Sequence, residues 1–211
     1  MTAIRKGEAL MIKNIVFDIG NVLLDYKPRE YLKNRGLSNS LIDELITCIF
    51  KSEEWIELDK GTIEVEEAVD NFIEFAPNLN NEIIEVMEDW PSMLKPKEDT
   101  IELLYTLKRN NYRVYLLSNF HKKAFQITRE RNRFIEEVDG YVISWQHNYI
   151  KPQKEIYIEL LNKYSLNKEE TLFIDDMVDN VKGAEVVGIN SVIFTDAEAL
   201  KKTFIEYKIL I

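Results

Sequence analysis

A single cysteine, Cys48, occurs in the 211 residues, so no internal disulfide can form and the chain is expected to work in a reducing, cytosolic setting. Long hydrophobic runs are also missing. No apolar stretch approaches the roughly 20 residues that a bilayer-spanning helix needs, which argues against any membrane partner. Met1 to Leu10 carry positive charge without an apolar segment and do not read as a secretory signal. Met11 directly precedes the first strand-like run and is a candidate start, which would make residues 1–10 a dispensable tail. An excess of positive charge is lacking too: the formal net charge is −10, against any nonspecific grip on nucleic acid or anionic lipid. An anionic substrate must then be held by a local positive site. Histidine is scarce, and neither His121 nor His147 has a second ligand spaced for a metal; they read as a polar loop residue and a surface residue. Internal repeats and low-complexity tracts are absent.

What is present suffices for a core, since 45% of the residues are hydrophobic. Short apolar, β-branched runs fall at Ile12 to Phe17, Arg113 to Leu117, Tyr141 to Ser144, Thr171 to Ile174 and Ser191 to Phe194. The last four alternate with helical patterns over Asp99 to Asn110, Lys122 to Arg131, Lys154 to Tyr164, Val178 to Val187 and Asp196 to Tyr207. That rhythm predicts parallel βαβ units in an α/β fold, with central strands apolar on both faces. The interval from about Pro28 to Pro96 breaks it: several helical patterns, dense acidic residues, punctuation by Pro77, Pro91 and Pro96, and no convincing strand. It is too long for one crossover and reads as an inserted helical unit, joined near Asp25 to Pro28 and near Leu94 to Lys97. The expected division is a core of 11–27 and 96–211 with a helical cap of 28–95.

Ligands of an open parallel sheet bind beyond the carboxyl ends of its strands. There the sequence places Asp18-Ile19-Gly20-Asn21-Val22, Ser118-Asn119, Lys151-Pro152 and Asp175-Asp176. Each has an ordinary structural reading as a turn, a helix cap, a loop lysine or an acidic helix start. Together they form a phosphate site. Attack by the Asp18 carboxylate on a dianionic phosphomonoester is opposed by charge repulsion, which a divalent cation relieves. Mg²⁺, which prefers oxygen ligands, would be held by Asp18, the Gly20 carbonyl and Asp176, with Asp175 partly behind them. Ser118, the Asn119 backbone N–H and Lys151 would hold the phosphoryl oxygens, with Gly20 and Asn21 also beside the substrate. An aspartyl-phosphate on Asp18, then hydrolysed, completes the scheme.

At these residues the sequence resembles the haloacid dehalogenase superfamily, whose four motifs match Asp18 to Val22, Ser118-Asn119, Lys151-Pro152 and Asp175-Asp176 in order. The resemblance runs from about Met11 to the C-terminus. It implies a Rossmann-like parallel sheet of order 5-4-1-2-3, an all-helical cap domain and a site shared between them. The Gly-Asn pair after Asp18 is similar to small sugar-phosphate phosphatases, so the implied substrate is a small soluble phosphate, a sugar phosphate favoured, with Mg²⁺ as cofactor; the oligomeric state stays open. One residue departs from the pattern. Most phosphatases of this superfamily carry a second Asp two residues after the nucleophile as general acid and base, and here that position is Gly20. General acid–base help is typically worth about 10²–10⁴ in rate, so activity should depend steeply on leaving-group acidity unless Asp25, His121 or a cap residue supplies the proton. A carboxylate installed at Gly20 is expected to crowd a turn shaped for glycine. Trp55, Trp90, Tyr31 and Arg35 could line the entrance, although cap aromatics are more often core. The competing readings are a 2-haloacid dehalogenase, which would not need the acidic pair, and a non-catalytic phosphate- or metal-binding module.

Overall fold

The computed structural model describes residues 11–211, so the tail expected over 1–10 lies outside the described residues. The strands are β1 (Asn14–Phe17), β2 (Arg113–Ser118), β3 (Gly140–Ile143), β4 (Thr171–Asp175) and β5 (Asn190–Ile193). They form one parallel sheet in the order β3-β2-β1-β4-β5, which is the implied order read from the other edge. With partners on both sides, β1 is the centre, and Ile15, Val16 and Phe17 are fully buried. Period-two alternation sends Ile15, Phe17, Leu116 and Ile174 into one core cluster and Val16, Tyr115, Leu117 and Phe173 into the other. Both faces therefore need apolar residues, which is why these strands read as continuous hydrophobic runs.

Between β1 and β2 run α1 (Pro28–Asn34), α2 (Asn39–Leu45), α3 (Glu53–Lys60), α4 (Val65–Phe75) and α5 (Asn80–Asp89), with no strand among them. Next come α6 (Glu98–Arg109) before β2, then α7 (Lys122–Arg131) and α8 (Phe134–Glu137) before β3. The remaining connections are α9 (Lys154–Lys163), α10 (Val178–Val186) and the closing α11 (Ala197–Glu206). The single turn of α8 is too short to show a periodic pattern, so nothing in the sequence predicts it. The two connecting segments pair with each other: Asp25 N–H donates to the Lys95 carbonyl at 2.8 Å and Lys97 N–H to the Leu23 carbonyl at 2.9 Å. The helical insert also shares an apolar core with the sheet, since Phe17, Leu24, Leu45, Phe72, Trp90 and Leu104 belong to one cluster.

One local arrangement positions the insert over the strand ends. Ser52 caps α3 by accepting from Trp55 N–H at 3.1 Å, and α3 stops at Gly61, whose φ is 73°. A Cβ at Gly61 would fall 2.5 Å from the Trp145 carbonyl oxygen, so only glycine allows this approach. Here the turn after β3 grips the end of α3: Ser144 Oγ donates to the Asp59 carbonyl, and Asn148 Nδ2 to the Lys60 carbonyl at 2.9 Å. No helix among the described residues is long and apolar enough to cross a membrane.

Candidate active site

Every strand-end residue picked from the sequence lies at the carboxyl edge of the sheet. Asp18 follows β1 directly, its N–H donating to the Ile174 carbonyl at 2.9 Å. Its carboxylate accepts from Ile19 N–H at 2.7 Å and pairs with Lys151 Nζ at 2.7 Å. Lys151 is 3% exposed and reaches Asp175 Oδ2 at 2.6 Å as well, so one ammonium bridges two buried carboxylates. A reciprocal clamp fixes the lysine: Lys151 N–H donates to Asn119 Oδ1 at 2.8 Å and Asn119 Nδ2 to the Lys151 carbonyl at 3.0 Å. Asn119 thus uses its side chain to place Lys151 and leaves its backbone N–H for a ligand.

The acidic pair divides its labour. Asp175 is fully buried and also accepts from Met177 N–H at 2.8 Å and from Asn180 Nδ2 at 3.0 Å, so protein donors occupy both oxygens. Asp176 is half-buried and accepts one bond from Asn21 Nδ2 at 3.0 Å. Asn21 stands at φ 55°, a left-handed position that asparagine tolerates, and its Oδ1 accepts from Tyr26 N–H at 3.0 Å. Its side chain therefore orients Asp176 at the edge of the cavity that Asn21 also lines.

Ligand atoms of Asp18, Asp175 and Asp176 lie within 4.8 Å of one another. Three carboxylates face one buried ammonium, leaving an excess of negative charge. Burial pushes the Asp18 carboxyl up to about 7, against the opposing pull of Lys151 and with Asp175 adding to the rise. Burial would lower the Lys151 ammonium, but the charges of Asp18 and Asp175 hold it above its ordinary value. Asp176 is raised by burial, with the Asn21 hydrogen bond opposing. An all-oxygen donor set with surplus negative charge fits a hard divalent cation.

Above this base is a cavity of about 220 Å³, walled by Tyr26, Trp55, Trp90, Leu94, Phe120 and Met177. Trp55 and Trp90 are both core and wall: each is buried, their rings 5.0 Å apart. Tyr31 and Arg35 are not among the lining residues; Arg35 pairs with Glu85 at 2.9 Å and Asp89 at 3.2 Å. His121 is no loop residue exposed to water. It is 3% exposed, stacked on Trp90 at 5.0 Å and edge-on to Trp55, because the turn before α7 folds under the aromatic wall. Burial pushes its imidazole down to about 3, which keeps it neutral. His147 is half-buried, with Nδ1 3.5 Å from Glu159. Asp25 pairs with Lys27 at 3.2 Å and does not line the cavity.

Gly20 is not crowded. A Cβ there would meet only Tyr26 Cβ at 3.9 Å, so the backbone turn itself does not require glycine. Among the lining residues that sequence reasoning missed, the acidic one is Asp59, in the last turn of α3. Two signals could have found it. Asp59 is four residues from Trp55 and so shares its helix face, and a carboxylate near a helix C-terminus opposes the macrodipole and needs another reason to be there. Burial, then the charge of Asp18, raise the Asp59 carboxyl from 3.8 to about 8, against the pull of Lys151. A carboxyl raised in the folded state binds more protons there than in the unfolded chain. Stability in EDTA should therefore fall as pH rises from 3.8 through about 8. Asp59→Asn should remove that part of the fall, so thermal melting of variant and wild type should agree near the acid end and diverge above it, the variant being more stable.

Residues 12–188 match the family model described as haloacid dehalogenase-like hydrolase. A sesquiterpene phosphatase of Aspergillus oryzae is 27% identical over 191 residues, covering 89% of this chain and 92% of its own. A D-ribitol-5-phosphate phosphatase of Bacteroides thetaiotaomicron is 27% identical over 194 residues, covering 86% and 91%. Among solved structures, the magnesium complex of a HAD family enzyme from Bacteroides thetaiotaomicron superposes with a TM-score of 0.70 at 28% identity, covering 92% of this chain and 98% of its own.

Proposed function

The chain belongs to the haloacid dehalogenase-like hydrolases, and from that premise we propose that it is a Mg²⁺-dependent phosphomonoesterase working through an aspartyl-phosphate on Asp18. The observation that carries this reading is the cluster of Asp18, Asp175 and Asp176 around the buried ammonium of Lys151. A metal-free, halide-displacing site has no use for so many carboxylates beside an anionic substrate. Phosphatases among the relatives and the magnesium complex of the similar structure support the same choice.

Asp18 attacks phosphorus while Lys151, Ser118 and the Asn119 N–H donate to the phosphoryl oxygens. The bond to the departing oxygen breaks, and water then attacks phosphorus to free phosphate and Asp18. Asp18, Asp176 and the Gly20 carbonyl would hold Mg²⁺, which would supply the positive charge that lets two anions approach. Asp175 acts from beneath, holding Lys151 and Asn180 in place. The helical segment 28–95 serves as a cap that supplies the wall for the leaving group. The faces of Trp55 and Trp90 suit the ring of a small sugar phosphate, the substrate class we favour.

Phosphate release from a panel of sugar, nucleotide and prenyl phosphates, with and without EDTA, tests the reading. Metal-dependent phosphate release is expected; metal-independent chloride release from 2-chloropropionate would identify a dehalogenase, and metal binding without turnover a binding module. Asp176→Ala should raise the Mg²⁺ concentration for half-maximal activity by about 10–100-fold or more. An unmoved titration curve would reduce Asp176 to a helix-start residue.

A further inference from the structure

With Gly20 where a carboxylic acid is usual, the departing oxygen has no proton source in the first motif. In-line displacement sends that oxygen away from Asp18, to the side of phosphorus that faces the cap. Among the described residues three carboxylates line the cavity: Asp18, Asp176 and Asp59. The first two belong to the nucleophile and the metal site. Asp59 enters from α3 and lines the cavity; its carboxylate forms no ion pair among the described residues and accepts from the backbone N–H of His121, in the turn before α7. Its backbone is held firmly, by Ser144 Oγ on its own carbonyl and Asn148 on that of Lys60, with Gly61 packed on Trp145. His121, backed into the aromatic wall, does not line the cavity.

We propose that Asp59 is the general acid and base of this active site, a reading that rests on the phosphatase assignment above. As the Asp18–phosphorus bond forms and the bond to the leaving oxygen breaks, the Asp59 carboxyl gives its proton to that oxygen, releasing the alcohol. The Asp59 carboxylate then takes a proton from the water that attacks phosphorus, the Asp18–phosphorus bond breaks, and phosphate departs with Asp59 protonated again. A carboxyl raised to about 8 is protonated at neutral pH and ready for the first of these steps.

The test is the dependence of rate on leaving-group acidity, measured by single-turnover kinetics on purified protein with Mg²⁺. Wild type should show a shallow slope across substituted aryl and alkyl phosphates. Asp59→Asn should show a steep one: cleavage of alkyl phosphates falls about 10²–10⁴-fold, while the first p-nitrophenol burst falls less than about tenfold and phosphorylated Asp18 accumulates behind it. Adding Gly20→Asp, whose Cβ has room, should restore alkyl phosphate cleavage in the Asp59→Asn background. Equal losses for every leaving group, or no loss at all, would overturn the proposal, with thermal melting confirming that the variant is folded. A wild type that neither releases phosphate nor labels Asp18 would instead overturn the phosphatase reading itself, and this proposal with it.

Discussion

Asp18→Asn should lower turnover by about 10⁴–10⁶-fold, the scale of losing a covalent nucleophile, while the sheet remains intact. The amide keeps the shape of the carboxylate and can still accept from Ile19 N–H, which lies at 2.7 Å, and Lys151 retains Asp175 at 2.6 Å. What disappears is a carboxylate oxygen able to bond phosphorus. Circular dichroism and melting should match wild type or show a gain, because Asp18 is a buried carboxyl raised to about 7 and its ionisation opposes folding. Normal phosphate release by this variant would remove Asp18 from the chemistry.

Lys151→Met should damage both stability and activity. The methionine fills the space of the lysine stem, but Asp18 and Asp175 lose the ammonium that pairs with each at 2.7 and 2.6 Å. Removing one partner of a buried pair costs about 3–5 kcal/mol, since the remaining charge stays buried without compensation. For a chain of this size that is a drop of roughly 10 °C in melting temperature. In EDTA the drop should be larger at about pH 8 than at about pH 5, because a protonated Asp18 has less need of the lysine. Added Mg²⁺ should recover part of the stability by binding the folded state but little of the activity, as the phosphoryl oxygens still lack their donor. A melting temperature within a degree or so of wild type would mean the three buried charges are not the network their distances describe.

The parts of this molecule legible in its sequence are those where one residue type answers one demand. Central strands must be apolar on both faces, so Ile15-Val16-Phe17 and Leu172-Phe173-Ile174 declared themselves, with ends shifted by a residue or two where apolar character and ladder pairing do not stop together. The strand-end chemistry at Asp18, Ser118, Lys151 and Asp175-Asp176 was readable because topology brings those ends to one edge. Contacts across long separations were not. Nothing near His121 in sequence announces that Trp55 and Trp90 will enclose it. Asp59 reads as one more acidic residue in an acidic insert until the turn at Ser144 to Asn148, more than eighty residues away, is seen gripping its helix end. Gly61 looks like an ordinary helix stop, and only the fold shows the Trp145 carbonyl packed against it. The side chains of Asn119 and Asn21 also position Lys151 and Asp176, through hydrogen bonds that no spacing encodes.

The central claim is that Asp18 carries the phosphoryl group. Wild-type protein mixed with excess p-nitrophenyl phosphate and Mg²⁺, quenched in acid and digested, should yield the peptide containing Asp18 with the added mass of one phosphoryl group. The label should vanish in Asp18→Asn and build up in Asp59→Asn. An unlabelled Asp18 peptide in a sample that is releasing phosphate, or a label on any other residue, would contradict the account.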